Sequence, residues 1–431
     1  MRKTGFSLLS LVAGVCLLPT AAFAQDAAAP PAPPAAAAPA PAAEPVPAAA
    51  PAPAAAPAPA TPAPSEGETA PAPAAPAEAA APPAPTFPQT IIQGGVEGTY
   101  SRILGAPHPG DAVAPTRAYD SSNGFLLNQA SLFIKHQLNE NVYAQIRFDA
   151  GANAGVNNFG ATKDFDVREA FAVATGYGLT FTAGKFATYE GIEVIDGWLN
   201  PTITRGFLYF LAEPVTHTGA KLHYTADALD IGIGVVNGWD TNNGPFATGD
   251  NNSQKTFIWR AAYTTVPFWA AFSGTYGVEK PGIDHDPRLS LDLTGAAVIN
   301  PMFAINFQGN YGSEKHSDIQ DPTKSGHWVG FGIQPMVHVD AASLGLRFEY
   351  FNDKGLSRTG YFANPTDATT GAPATSLDKV NLWNLSITPG YTIASAMLLR
   401  AEFRVDGASE AVLWNGNKKQ TSLTLGAAYT F

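Results

Sequence analysis

Apolar and polar residues alternate one by one in segments along most of this chain from residue 90 onward. In "NVYAQIRFDA" Val142, Ala144, Ile146 and Phe148 take one face, and Tyr143, Gln145, Arg147 and Asp149 the other. "LSLDLTGAAVI" sets Leu289, Leu291 and Leu293 against Ser290, Asp292 and Thr294. "ASLGLRFEYF" and "MLLRAEFRVD" repeat the scheme, with Arg347 and Glu349, then Arg400, Glu402, Arg404 and Asp406, on the polar face. A period of two is the signature of a strand with one apolar face. About 16 such segments start near residues 90, 125, 141, 165, 179, 216, 229, 254, 268, 289, 302, 326, 342, 379, 391 and 419. Most are about 10 residues long, enough for a tilted strand to cross a bilayer.

The connections also alternate. "NEN" (139–141), "GYG" (176–178), "ADA" (226–228), "VP" (266–267) and "NP" (300–301) are short. Between them run long stretches: about 101–124, 151–164, 187–215, 239–253, 279–288, 313–325, 352–378 and 407–418. A soluble sandwich has no reason to keep that order, whereas a closed membrane barrel has short turns at one rim and long loops at the other. Closure also leaves no strand edge unpaired in lipid. The pattern therefore predicts an all-β protein, a transmembrane antiparallel β-barrel of about 16 strands, with short turns facing the periplasm. Tyr100, Trp259, Tyr263, Phe268, Trp269, Phe303, Tyr311, Tyr350 and Trp383 fall near strand ends, where an interfacial girdle would stand. Pro335 interrupts "VGFGIQPMVHV", and that strand is expected to end near Gln334, because proline cannot donate its rung.

The first 86 residues change the picture. Arg2 and Lys3, an apolar core from Phe6 to Leu18 and Ala22-Phe23-Ala24 form a secretory signal over residues 1–24. Cys16, the one cysteine, lies inside it behind Val15, which argues against a lipoprotein signal and leaves the exported chain without disulfides. Residues 25–86 are almost wholly Ala and Pro, with Asp26, Glu44, Glu66, Glu68 and Glu78. They read as a disordered, polyproline-like arm reaching roughly 190 Å when extended. It is a plain spacer or an arm that touches the cell wall. Residues 87–431 form the barrel and carry a net charge of −8, so nucleic acid is not an expected partner.

"GKFATYEGIEVIDGWLNP" (184–201), "EPVTHTGAKLHY" (213–224) and "IGIGVVNGWD" (231–240) resemble the OmpL-like porins, the beta-barrel porin 2 family, a relative of the phosphate-selective porins. Gly184, Phe186, Gly191, Glu193, Asn200, Pro214, Thr218, Gly219, Asn237, Gly238 and Trp239 carry the likeness. The resemblance implies passive passage of small solutes across a bacterial outer membrane, with the arm in the periplasm. The closing strand "TSLTLGAAYTF", ending on Phe431, resembles the signal read by the barrel assembly machinery, and in such barrels the last strand pairs with the first, here "IIQGGVEGTY". Outer-membrane lipid and lipopolysaccharide, that machinery, peptidoglycan through the arm, and a homotrimer are the partners this implies.

In porins of about 16 strands the third long loop commonly folds inward. Here that loop is 187–215, with Glu190, Glu193, Asp196, Arg205 and Glu213 among aromatic residues. It constricts the pore, or it lies over the mouth or latches a neighbouring subunit. Parity turns Lys135, Arg147, Lys221, Arg260, Arg347, Arg400 and Arg404 inward, together with Glu97, Asp149, Asp292, Glu349 and Glu402. Arg147, Arg347 and Arg404 suggest a basic ladder facing an acidic loop, with a weak anion preference. The plainer reading pairs each arginine with its same-face neighbour: Arg147 with Asp149, Arg347 with Glu349, Arg400 with Glu402.

Nothing points to a cofactor. His217 and His223 are too far apart for a tight metal pair, and "DTNNGPFATGDNN" (240–252) lacks the closing Glu of a calcium loop. Neither a nucleotide-binding glycine loop nor a GxSxG occurs, and no spacing nominates a catalytic set, so an enzyme is not expected. The alternatives to a porin are an envelope-tethering barrel whose arm is its function and, behind it, a barrel enzyme.

Overall fold

A computed structural model describes residues 86–104, 123–157, 165–239, 252–360, 377–410 and 417–431. The signal, the arm and most of "DTNNGPFATGDNN" lie outside the described residues. The first eight strands are β1 (Gln89–Leu104), β2 (Gly124–Asn139), β3 (Val142–Ala150), β4 (Phe165–Gly176), β5 (Leu179–Ala187), β6 (Thr216–Ala226), β7 (Leu229–Val236) and β8 (Thr256–Thr265). The second eight are β9 (Phe268–Val278), β10 (Pro287–Asn300), β11 (Phe303–Glu314), β12 (Gly326–Val339), β13 (Ala342–Lys354), β14 (Lys379–Ile393), β15 (Met397–Ala408) and β16 (Lys419–Thr430). Each pairs antiparallel with its sequence neighbours, and β16 closes on β1. A short helix, α1 (Ala152–Asn157), follows β3.

Closure explains the C-terminal aromatic residue. The β1–β16 register runs from Leu104↔Thr421 to Gly95↔Thr430. Phe431 then exchanges two backbone hydrogen bonds with Gly94, each 3.0 Å. A Cβ on Gly94 would lie 2.7 Å from the Phe431 ring, so glycine makes room for the ring at the seam.

The two faces sort as the alternation requires. Leu132, Ile146, Phe181, Ile233, Leu293, Phe331, Leu385, Ile387, Leu399, Phe403 and Leu425 are exposed on the outside. Asp149, Asp292, Arg347, Glu349, Glu402, Arg404 and Asp406 are buried inside. Only an outside that meets hydrocarbon makes this distribution favourable, since it exposes an apolar belt to whatever surrounds the barrel. Of the aromatic girdle, Trp269 departs from expectation. It pairs with Thr264 and Ala296, so it belongs to the inward set.

Two boundaries also differ from the pattern. β12 runs through Pro335 to Val339, because only one of the proline's edges loses its rung. Pro335 still pairs with Ile305 of β11, while pairing to β13 stops at Ile333↔Phe348 and resumes at Met336↔Gly345 with the register unchanged. The fifteenth strand starts at Met397 rather than near 391, since residues 391–393 finish β14. Ala394 and Ser395 both take positive φ, 50° and 59°. Two such residues make the tight turn that suits strand twist, and without Gly or Asn the sequence does not announce it.

Two bulges shape the interior. Glu97 pairs with Gln129 but Gly98 pairs with Leu127, leaving Asn128 extra. Arg147 pairs with Glu169 but Phe148 pairs with Val167, leaving Arg168 extra. The second bulge buries both Arg168 and Glu169, two successive charges that simple alternation would have put on opposite faces.

Candidate functional site

The connection between β5 and β6, residues 188–215, runs through the interior of the barrel. It contains a single 3-10 turn, Gly197–Leu199, and a π-helical turn, Leu208–Ala212. At its start the Tyr189 hydroxyl lies 2.6 Å from His223 Nε2, and His223 Nδ1 lies 3.1 Å from Asp230, which also accepts from Arg260 at 2.7 Å. His217 lies 3.0 Å from the Gly238 carbonyl and 3.2 Å from the Thr188 hydroxyl, so the two histidines have separate partners. Glu190 accepts from Ser290 at 2.5 Å, and Gly191 donates to Asp292 at 3.1 Å.

Further along, the loop's charges are taken up by the wall. Glu193 accepts from Arg347 at 2.8 Å, Gln334 at 2.9 Å and the Gly206 amide at 2.7 Å. Asp196 accepts from Arg168 at 2.6 Å, Arg147 at 2.5 Å and Gln129 at 2.9 Å. Burial pushes the Asp196 carboxyl up, but Arg168 and Arg147 outweigh it and hold the group well below the usual carboxylate range. The Thr204 amide and hydroxyl both donate to Glu402 at 2.7 Å, and the Phe207 amide donates to Glu349 at 2.6 Å. Arg205 donates to the Ile195 carbonyl at 2.8 Å. Glu213 accepts from Gln308, which also donates to Asp292. Burial, and next the Asp292 carboxylate, push the Glu213 carboxyl well up.

Fit accompanies charge. A Cβ on Gly206 would lie 2.0 Å from Glu349, and one on Gly345 of β13 would lie 2.2 Å from the Pro201 carbonyl. Loop and wall approach each other there as closely as backbones can. Beyond, Phe207, Leu208, Leu211 and Ala212 pack with Trp328, Phe351, Val380, Leu382 and Ala408 into a buried apolar cluster. A second cluster, Phe171, Val173, Phe186, Tyr189, Val236 and Ile258, sits below the loop's root.

The inward residues expected from parity do face the interior; Arg147 and Arg347 meet the acidic loop in direct ion pairs, and the expected same-face pairs are not observed. Arg347 pairs with Glu193 and Glu402 rather than Glu349. Arg147 pairs with Glu169 and Asp196, while Asp149 is held by Arg168. Arg400 pairs with Glu97 and also donates to the Asn200 and Gly197 carbonyls. Arg404 pairs with Asp406 and donates to the Arg205 carbonyl. For Arg147, Arg347 and Arg400 cross-strand and loop carboxylates win, because the inward bend of the loop brings them nearer than same-strand neighbours, whereas Arg404 keeps its same-strand neighbour Asp406. Lys221, Arg260, Asp292, Arg347, Arg400 and Arg404 are all buried, and only Lys135 and Arg147 of the expected cations remain half-exposed. Lys135 lies 4.0 Å above the Tyr143 ring and Arg147 4.9 Å above Phe133. Arg168, Gln129 and Gln308 escaped the sequence reading. The adjacent charges of "DVREAF" were the one signal for Arg168, whereas the two glutamines carried none.

The geometry defines a class: an antiparallel barrel with an apolar exterior, a polar interior and one long loop bonded across the inside, the build of an outer-membrane channel protein. The family model described as "Putative beta-barrel porin-2, OmpL-like" matches residues 90–431, and the chain belongs to that family. Among solved structures it is similar to OprB of Pseudomonas putida, at 9% identity and TM-score 0.53, over 79% of this chain and 94% of that one. An anion-selective porin from Comamonas acidovorans matches at 10% identity and TM-score 0.52, over 80% and 99%. The outer-membrane channel DcaP of Acinetobacter baumannii matches at 12% identity and TM-score 0.51, over 79% and 97%. At these identities the likeness is one of fold. A search of the curated proteins finds no match.

Proposed function

We propose that this outer-membrane barrel is a passive porin for small hydrophilic solutes and ions, and that residues 188–215 narrow its lumen. The observation that carries the reading is the loop's set of hydrogen bonds to inward residues of β10, β13 and β15, opposite the strands from which it departs. A weak anion preference follows from what the loop leaves in contact with water. Lys135 is half-exposed and Arg147 keeps 14% of its side chain exposed, while Glu97, Asp149, Asp292, Glu349 and Glu402 are sealed. Export through residues 1–24, a periplasmic arm over 25–86, recognition of the C-terminal strand by the assembly machinery, lipopolysaccharide contact and a homotrimer complete the proposal.

Planar-bilayer recordings test it. Deleting residues 192–208 should raise single-channel conductance, and an unchanged conductance would put the narrowing elsewhere. Reversal potentials under a salt gradient should favour chloride over potassium, and cation selectivity would refute the preference.

A further inference from the structure

The charged residues of the third loop are all buried, and what the loop presents to water is apolar. Glu190, Glu193, Asp196, Arg205 and Glu213 are each at most 8% exposed. Apart from Thr188 and Gly191, the loop residues that keep appreciable exposure are Ile192, Val194, Trp198, Leu199, Pro201 and Phe210, with Leu199 at 38%. Water reaching the loop therefore meets an apolar rim rather than an acidic one.

The opposite boundary can be placed from contacts. Arg147 of β3 reaches Asp196, and two residues on, Trp198 lies against Gly95 of β1, where a Cβ would stand 2.8 Å from its ring. Gly95 pairs with Ser131, and the next inward position of β2 is Phe133, which pairs with Arg147. Lys135 follows one inward position later, over Tyr143. Phe133, Lys135, Tyr143 and Arg147 are all half-exposed. Arg147 is already committed to Asp196 and Glu169, whereas Lys135 has no carboxylate partner among the described residues.

We infer that this space, between β2–β3 and the edge of the third loop, is a binding site for small organic monoanions with a flat apolar body, the aryl-carboxylate class. The inference rests on the channel reading above. Lys135 supplies a cation that no carboxylate among the described residues takes up. Phe133 and Tyr143 supply aromatic faces for a ring, and Trp198 bounds the loop side. A second carboxylate on the solute would find no free cation there.

Bi-ionic recordings on the full chain in planar bilayers, with potassium benzoate or potassium acetate against potassium chloride, test the site. Benzoate is the larger ion, so a simple sieve passes it less readily than acetate. The site predicts the reverse, a benzoate-to-acetate permeability ratio above one. It also predicts that Phe133→Leu lowers that ratio about fivefold, and that Lys135→Gln lowers the permeability of both carboxylates relative to potassium. Heat-modifiable gel mobility identifies the variants that have closed their barrels. A ratio below one in the parent channel, an unchanged ratio in the closed Phe133→Leu variant, or unchanged carboxylate permeabilities in the closed Lys135→Gln variant overturns the inference while leaving the porin intact. Absence of any conductance in the parent chain overturns the porin reading and the site with it.

Discussion

Arg347 and Lys135 both point into the same barrel from strands of the same kind, yet they do different work. Arg347 has no exposed surface and is bonded to Glu193, Thr202 and Ser386, with Glu402 within ion-pair distance. Lys135 is half-exposed and lies over a tyrosine ring. The interior around Arg347 is packed against the third loop like a domain core. The stretch around Phe133, Lys135 and Tyr143, beside the turn from β2 to β3, keeps contact with water. A charged residue on an inner face is therefore not a pore residue until the loop has been placed. Where the loop docks, charge holds structure together; where it does not, charge is left to meet solutes.

Removing the cation from the sealed side is the strongest way to break this contrast. Arg347→Met leaves Glu193 and Glu402 buried beside an apolar side chain, at a cost of about 3–5 kcal/mol. Thermal unfolding of the detergent-solubilised protein should show a clear drop, and single-channel traces should turn larger and noisier as the loop undocks. A variant as stable and quiet as the parent would mean that the sealed side is not what holds the loop.

Gly206→Ala tests fit rather than charge. The added Cβ would collide with the Glu349 carboxylate, costing about 1–3 kcal/mol at the same junction. Its effect on melting should be smaller than that of Arg347→Met and in the same direction.

Next in size is a pH effect through Glu213. Its carboxyl is raised by burial and by Asp292, with Glu193 and Glu190 adding to the push and Gln308 opposing it. A raised acid binds its proton more tightly in the docked loop than in a free one. Its support for docking is complete below the ordinary glutamate value of 4.5 and is lost as pH rises toward the docked value. Current noise should therefore grow as pH rises from 4.5 upward, and Glu213→Gln should flatten the dependence. Quieter traces at higher pH would contradict the assignment.

The smallest effect belongs to the open side. Lys135→Gln should leave the melting temperature within the range of a surface change, about 0.5 kcal/mol, while shifting the reversal potential toward potassium. A large loss of stability there would erase the distinction between the two regions.

Much of the barrel was legible before any fold was known. Alternation in "MLLRAEFRVD" assigned Leu399 and Phe403 outward and Arg400, Glu402 and Arg404 inward, because successive side chains of a strand cannot share a face. Order along the chain then placed neighbours, since short turns join antiparallel strands. Boundaries set by turn conformation were not legible. Ala394 and Ser395 reverse the chain through positive φ that their side chains do not advertise, and Pro335 gives up one rung without ending its strand.

The site was legible only as a cast of residues. Parity named Arg347, Arg400 and Glu349, and loop length singled out 187–215, but partners remained out of reach. Glu193 and Arg347 are 154 positions apart, and Thr204 and Glu402 are 198 apart. Local periodicity carries no information over such spans. Sequence alone determined which way each strand faces, because pleating is a property of the backbone itself. Tertiary structure decided which inward charges are spent and which are left over. That outcome depends on where one loop finds complementary shape and charge across the width of the barrel.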